Sequence, residues 1–279
     1  VSIELWPFLF CGAAVDVMDN VSKSHPESML QWIVDHKITV CLLPTPLAEL
    51  VLGMHLPDDL SLRQMYTGGD KLHRGLRGHE PFRFNNFYGP TEGSVMQTSY
   101  PVPVSDEAPP IGKQIGNADL YITDKHLQPV PIGIAGELII GGICVTRGYI
   151  QAPELTEKVF VPDHFRGGDA RLYRTGDLVR YSKEGNIEFL GRIDKQVKIR
   201  GHRIEIGEIH EVLVHQPGVI EGYVMCREDT PGEKRLVAYI VTIKEKAFSI
   251  HSLRLTMKEL LPEYMVPAAF VIMDELPLT

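Results

Sequence analysis

The chain has 279 residues, with 28 Lys plus Arg against 36 Asp plus Glu and a formal net charge of -8. Apolar residues make up 44% and charged residues 23%, so enough apolar surface is present to offset chain entropy, and a disordered main state is excluded. The acidic balance argues against a nucleic-acid partner, whose protein face is basic, and the length predicts about two domains. Cys11, Cys41, Cys144 and Cys226 form no CxxC pair. That fits a reducing, cytoplasmic setting without a disulfide framework or a zinc site.

The longest uncharged apolar stretch, Leu5 to Val15, is too short to span a bilayer and contains Pro7 and Gly12. No basic region precedes it, so it does not read as a signal peptide, and no membrane partner is expected. The chain opens on Val1 and stops at Leu276-Pro277-Leu278-Thr279, after a strand-like run. Both ends read as cut from a larger polypeptide.

Residues 1–100 predict alternating helix and strand. Ser24 is placed to cap a helix with Pro26 in its first turn and Met29, Leu30, Ile33 and Val34 on one face. Strands are expected over Ile38–Leu43, Leu62–Tyr66 and Phe82–Phe87, closed by Pro44, Gly68-Gly69-Asp70 and Gly89-Pro90. This alternation predicts a parallel α/β sheet. Residues 101–193 change character. Apart from a helix over Pro153–Val161, strand-like runs dominate: Leu120–Thr123, Glu137–Ile140, Val145–Ile150, Leu178–Tyr181 and Ile187–Leu190, with a turn at Lys183-Glu184-Gly185-Asn186. They predict an antiparallel sheet or distorted β-barrel, completing a large domain over 1–193. Residues 194–279 predict a small α+β domain. A basic hairpin (Gln196–Arg203) leads into a helix (Gly207–His215), two strands (Ile220–Cys226 and Leu236–Ile243), a helix (Ser252–Leu261) and a strand (Ala268–Met273).

Three clusters have chemical potential. In Asn86-Phe87-Tyr88-Gly89-Pro90-Thr91-Glu92, Tyr88 is suited to stack on a planar base and Gly89 to let a ligand approach the backbone. Thr91 is suited to meet a phosphate oxygen, and Glu92 to hold Mg2+. In Tyr173-Arg174-Thr175-Gly176-Asp177-Leu178, the aspartate after the glycine turn is suited to accept from a diol. The run Gly191-Arg192 through Arg203 is dense in cations, and Arg192 is suited to a ribose or phosphate. Singly, each has a plain structural alternative: a β-turn with a surface glutamate, a common Thr-Gly-Asp turn, a solvated basic strand edge. A fourth, glycine-rich run, Gly136 to Tyr149, lacks GxGxxG at a helix start and any GKS or GKT, and reads as sheet corners. No HExxH, paired Cys/His spacing or GxSxG elbow is present.

Taken together and in this order, NFYGPTE (Asn86–Glu92), Gly136–Tyr149, YRTGDL (Tyr173–Leu178), GRIDKQVKIRGHRIEIGE (Gly191–Glu208) and LPEYMVP (Leu261–Pro267) resemble the adenylation domains of nonribosomal peptide synthetases. These belong to the adenylate-forming, AMP-binding superfamily, and the resemblance covers essentially the whole chain. It implies a large α/β and barrel-like domain hinged to a small α+β domain. It also implies activation of a carboxylic acid with ATP and Mg2+ as an acyl-adenylate, followed by transfer to the phosphopantetheine thiol of a peptidyl carrier domain beside neighbouring synthetase modules.

Carried over position by position, Tyr88 corresponds to the adenine-stacking aromatic, with Gly68, Asn86, Phe87 and Gly89 beside the nucleotide. Thr91 corresponds to the α-phosphate contact, Glu92 to the Mg2+ ligand, Asp177 to the ribose carboxylate and Arg192 to its partner. Phe189 falls under the nucleotide, and Asp194 at the hinge. Thr91, Glu92 and Arg192 are the implied catalytic residues. The substrate pocket falls on Ile3, Leu42, Met65, Thr67, Phe87, Val95 and Met96, an apolar set that implies a hydrophobic amino acid or related acid. The family's phosphate loop and final lysine are expected outside residues 1–279, so the fragment alone is expected to be inactive. Cys144, Thr146 and His210 depart from common family residues without touching the implied nucleotide. An acyl- or aryl-CoA ligase of the same superfamily and a non-catalytic, degenerate module are the alternatives.

Overall fold

The computed structural model describes residues 2–194, 196–199, 202–229, 234–243 and 248–277. The chain divides into two compact units, Val1–Ile193 and Asp194–Thr279.

The first unit begins with α1 (Ser2–Phe10), which leaves Trp6, Leu9 and Phe10 exposed. In α2 (Pro26–Asp35) the proline takes a first-turn position, where its missing N–H costs nothing and its fixed φ suits the helix. The cap position is His25 rather than Ser24, because a short 3-10 turn, Ser22–Ser24, precedes it. Met29, Leu30 and Ile33 are buried, at the spacing of one helical face.

β1 (Val40–Pro44), α3 (Thr45–Gly53), β2 (Gln64–Gly68) and β3 (Arg83–Tyr88) follow, and the three strands pair in parallel. β4 (Thr98–Pro101) and β5 (Lys113–Gln114) extend the sheet antiparallel, in the order β1-β2-β3-β4-β5. Side chains alternate across a strand, and the register aligns Cys41 with Met65 and Phe84, and Leu43 with Thr67 and Asn86. That face is covered: Leu43, Met65 and Phe84 join Met29, Leu30 and Ile33 of α2 and Ala48, Val51 and Leu52 of α3 in one core. The opposite face, with Leu42, Tyr66, Asn85 and Phe87, is half-buried.

A second, antiparallel sheet comprises β6 (Asp119–Thr123), β7 (Gly136–Gly141), β8 (Phe160–Pro162), β9 (Arg171–Tyr181) and β10 (Ile187–Arg192), with α4 (Pro153–Val159) before β8. Its order is β10-β9-β7-β6, with β8 also on β9, and among the described residues it stays open rather than closing into a barrel. The expected strand over Val145–Ile150 is an irregular loop. Gly142 and Gly148 take φ of +91° and +124°, and in place of a ladder this stretch makes a local turn bond, Val145 N–H to Gly142 O, and longer-range bonds to Glu92 and Arg171. The two sheets are tied together by Ile111 N–H to Ile187 O (2.9 Å) and Ile187 N–H to Gly112 O (2.7 Å). Tyr88, Ile111, Leu138, Ile140, Tyr173 and Ile187 share the core above that tie.

The second unit contains the hairpin β11 (Val197–Ile199) and β12 (His202–Ile204), then α5 (Ile206–Val214). β13 (Val219–Glu228) pairs antiparallel with β14 (Lys234–Thr242). After α6 (Ile250–Leu260), β15 (Ala269–Met273) returns parallel to β14. Ile209 and Leu213 of α5, Leu253 and Met257 of α6, and Val224, Ala238 and Ile240 of the sheet form its core.

Candidate functional site

The centre of the first unit is a buried carboxylate, Asp177. Two irregularities place it. Between Arg174 and Leu178 of β9, three residues face a single residue of β7, so Thr175-Gly176-Asp177 bulges. Gly176 takes φ +69° there. The Thr175 hydroxyl donates to Leu138 O at 2.7 Å, and the Gly176 N–H to Glu137 Oε1 at 3.1 Å. Glu137 Oε2 in turn accepts two bonds from Arg174, at 3.1 and 2.6 Å. On the other side β10 skips Leu190, with Gly191 at φ +146°, and this slip sets Arg192 directly opposite Asp177.

The result is an ion pair with Arg192 Nη1 at 2.7 Å from Asp177 Oδ1, the two side chains 12% and 4% exposed. The hydroxyl of Tyr88, at the end of the parallel strand β3, donates to Asp177 Oδ2. Burial, and then the adjacent carboxylate, push the Tyr88 phenol well above its ordinary pKa, so it stays a donor. Tyr88 of β3 and Arg192 of β10 thus meet at the Asp177 carboxylate of β9. The ring of Tyr88 is itself buried among Ile111, Leu138 and their neighbours. Phe189, half-buried, packs on the same core.

The second centre is Glu92, 6% exposed, in the 3-10 turn Thr91–Gly93 that follows β3; Thr91 itself is exposed. Glu92 Oε1 accepts from the Tyr149 hydroxyl at 2.5 Å, and its backbone carbonyl accepts from the Thr146 N–H at 2.9 Å. Burial first, and then the Glu92 carboxylate, raise the pKa of Tyr149 far above that of a free phenol. The turn depends on glycine. A Cβ on Gly89 would overlap Val95 O and Gln97 Oε1, and one on Gly93 would stand 2.7 Å from Gln97 Cδ. Gly68 has the same property one strand away, where a Cβ would lie 2.7 Å from Phe87 O.

The seven pocket positions are not gathered on one surface. Leu42 and Phe87 lie on the half-buried face of the first sheet, where Phe87 stacks on Tyr66 with ring centroids 4.9 Å apart. Met65 and Thr67 lie on the covered face. Met65 is fully buried in the core beneath α2 and α3, and the Thr67 hydroxyl donates to Leu43 O at 2.9 Å. Val95 is exposed and Met96 half-buried, on the loop after the Glu92 turn. The side chain of Ile3 lies outside the described residues, as do Lys195, Arg200 and Gly201 of the basic run. Asn86 is buried and donates to Pro110 O at 3.1 Å. Asp194 opens the second unit and accepts the Gln196 N–H at 3.0 Å.

Sequence reasoning missed three contributors. Tyr149 lies in a run whose glycines read as sheet corners, and nothing local marks its hydroxyl. Glu137, which orients the Asp177 bulge, sits in the same run, and only its position inside an apolar strand marks it. Gln97 fills the space left by Gly89 and Gly93, and its amide donates to Gly93 O; a polar residue between Met96 and the start of β4 was its one visible signal.

Among the described residues no group of three or more His, Cys, Asp or Glu side chains is gathered for a metal, and no helix is long and apolar enough to cross a membrane.

Residues 1–150 match the AMP-binding enzyme family, and residues 208–279 match the AMP-binding enzyme C-terminal domain. The chain therefore belongs to the AMP-binding enzymes. Within that class it is similar to synthetases of peptides. It is 49% identical over 281 residues to a linear gramicidin synthase of Brevibacillus parabrevis, a match covering 99% of this chain and 5% of that protein. It is 43% identical over 276 residues to bacitracin synthase 1 of Bacillus licheniformis, again covering 99% and 5%. The chain thus spans about one twentieth of the length of these relatives. Among solved structures it resembles holo-PA1221, an NRPS protein containing adenylation and PCP domains bound to a vinylsulfonamide inhibitor. The TM-score is 0.79 at 31% identity, covering 91% of this chain and 44% of that one. It also resembles IdnL1, with TM-score 0.81 at 27% identity, covering 95% and 57%.

Proposed function

We propose that the chain is the nucleotide-binding part of an enzyme that activates a hydrophobic amino acid, or a related carboxylic acid, for nonribosomal peptide synthesis. The substrate carboxylate attacks the α-phosphorus of ATP, pyrophosphate leaves, and an acyl-adenylate forms. A phosphopantetheine thiol on a carrier domain then takes the acyl group and releases AMP. Such chemistry needs positioned reactants and fixed donors rather than a covalent protein intermediate.

The observation that carries this reading is the meeting of Tyr88, Asp177 and Arg192 at one carboxylate, in a chain of the AMP-binding family. Asp177 takes the ribose diol, Arg192 holds that carboxylate and reaches toward the nucleotide, and Tyr88 presents an aromatic edge beside the base with Phe189. Gly68, Asn86, Phe87 and Gly89 shape the floor. Thr91, exposed at the turn, meets the α-phosphate. Glu92 is a single buried carboxylate, a donor set that suits a Mg2+ carried in on phosphate oxygens rather than a resident ion. The half-buried Leu42 and the Tyr66–Phe87 stack on one face of the first sheet, with no charged side chain among the seven pocket positions, support a hydrophobic substrate. Residues 1–193 act as the core, residues 194–279 as a mobile domain hinged at Asp194, and the enzyme works in the cytoplasm beside other synthetase modules.

The test is ATP–pyrophosphate exchange by this chain in its native flanking sequence, with apolar and charged amino acids and their hydroxy and keto analogues. Exchange with apolar acids, weakened by D177A about 10–100-fold in kcat/KM for ATP, is the expected result. Exchange restricted to Asp, Glu, Lys or Arg would remove the apolar assignment. Product formation that requires free CoA would move the chain to the acyl-CoA ligases.

A further inference from the structure

The segment 142–150 wraps the Thr91–Gly93 turn and is bound to it from several sides. The Ser94 hydroxyl donates to Cys144 O at 2.7 Å, the Thr146 N–H to Glu92 O at 2.9 Å, and the Tyr149 hydroxyl to Glu92 Oε1 at 2.5 Å. The wrap is itself anchored. Arg171 Nη2 donates to Thr146 O at 3.1 Å while its guanidinium lies 5.4 Å from the centre of the Phe160 ring. The Tyr149 N–H donates to Thr156 Oγ1 at 2.9 Å, and its ring meets Phe160 edge-on, with centroids 5.7 Å apart at 73°. Gly148 lets the chain pass this point, since a Cβ there would overlap Thr156 Cγ2. Tyr149 is thus held by backbone and by ring, and its one rotatable hydroxyl ends on the carboxylate.

We propose that Tyr149 is a positioning residue that fixes the orientation of the Glu92 carboxylate toward the Mg2+ accompanying ATP. A carboxylate bound through one oxygen to a rigid donor cannot rotate freely, so the direction of its remaining lone pairs is set before the cation arrives. Groups that hold a metal-binding side chain in this way contribute to affinity although they never touch the ion. The inference rests on the adenylation reading above.

The experiment measures binding of the non-hydrolysable analogue α,β-methylene-ATP by calorimetry, with saturating Mg2+ and with EDTA, in the chain with its native flanks. Variants are Y149F, E92Q and the double substitution. Y149F is expected to weaken binding about ten-fold with Mg2+. It is expected to lower the melting temperature modestly, because a buried carboxylate loses a donor, yet to leave binding by the folded protein in EDTA unchanged and to add nothing to the E92Q effect on binding. T156V loosens the Tyr149 backbone while keeping its hydroxyl. It is expected to give a smaller loss of the same Mg2+-dependent kind, and it carries the test if Y149F does not fold. Equal weakening with and without Mg2+, full additivity with E92Q, or no effect of Y149F on a parent that binds the analogue would each overturn the proposal. A parent that binds no nucleotide at all would overturn the adenylation reading, and it would do so before any substitution is made.

Discussion

The two units solve different problems. In the first, Glu92, Glu137, Asp163 and Asp177 are all buried, together with Asn86 and Gln97. In the second, Gln196 is the buried polar side chain among the described residues. Its charges sit outside, as in the Arg227–Asp229–Arg235 group, where both arginines lie 2.6 Å from the Asp229 carboxylate. Removing Asp177 and Arg192 from water is costly, and apolar residues of similar volume would hold a sheet together at least as well. Stability alone therefore does not account for them, and the nucleotide role proposed above does. The second unit shows what the same chain does without that demand: a helix-covered sheet whose core is apolar throughout.

The sharpest way to break this contrast is to remove a cation from each unit. R192A leaves the buried Asp177 carboxylate with the Tyr88 hydroxyl in place of a charge partner, and should cost about 3 kcal/mol in denaturant unfolding. R235A in the second unit removes one of two arginines on an exposed aspartate and should leave the unfolding midpoint where it was. Equal effects would mean that the first pair is as dispensable as the second. Next in size is G89A. The added methyl has nowhere to go between Val95 O and Gln97 Oε1, and a loss of about 2 kcal/mol is expected. G207A, inside α5 with open space around its Cβ, is its opposite in the second unit, and should gain about 0.5–1 kcal/mol from helix propensity.

A buried thiol offers a pH-dependent version. Burial beside the first core pushes Cys41 up to about 12 from an ordinary value of 9.0. Between those values the unfolded chain releases the proton while the folded chain keeps it. Stability from this group is therefore nearly complete below pH 9 and declines as pH rises, by about 1–2 kcal/mol at pH 10. Melting curves at pH 8 and pH 10 should converge in C41A relative to the parent; an unchanged gap would remove Cys41 as the cause.

Much of this was legible in the chain. The parallel strands stand within two residues of the positions that apolar runs and glycine-proline stops indicate, because those signals are local. The helices of the second unit follow their 3.6-residue pattern for the same reason. What the pattern misassigned is Val145–Ile150. Its β-rich composition is that of a strand, but its partners are Glu92 and Arg171, which no local window contains. Asp177 stood out as an aspartate after a glycine, whereas the register slip that sets Arg192 opposite it exists only once β9 and β10 have paired, and Tyr88 reaches it from β3 of the other sheet. The apolar pocket positions looked equivalent in sequence, yet the two-residue alternation of strands sends Met65 and Thr67 to one face and Leu42 and Phe87 to the other.

The smallest effect belongs to the second unit and comes from its surface. α6 begins at Ser249, whose hydroxyl oxygen accepts the Ser252 N–H at 3.2 Å. α5, capped at Glu205, has no such side-chain bond. In a unit organised by apolar pattern, polar side chains contribute at helix ends, where backbone groups would otherwise lack partners. S249A should then cost about 0.5–1 kcal/mol, with S249D restoring most of it, since aspartate caps equally well and its charge suits a helix N-terminus. The check is a pair of unfolding curves at low and high salt: recovery by aspartate that fades with salt would assign the gain to charge, and recovery that persists would assign it to the hydrogen bond. A loss well above about 2 kcal/mol, the upper end for a cap, would mean that Ser249 supports the core through contacts other than the cap, and that the second unit depends on fixed polar geometry as the first one does.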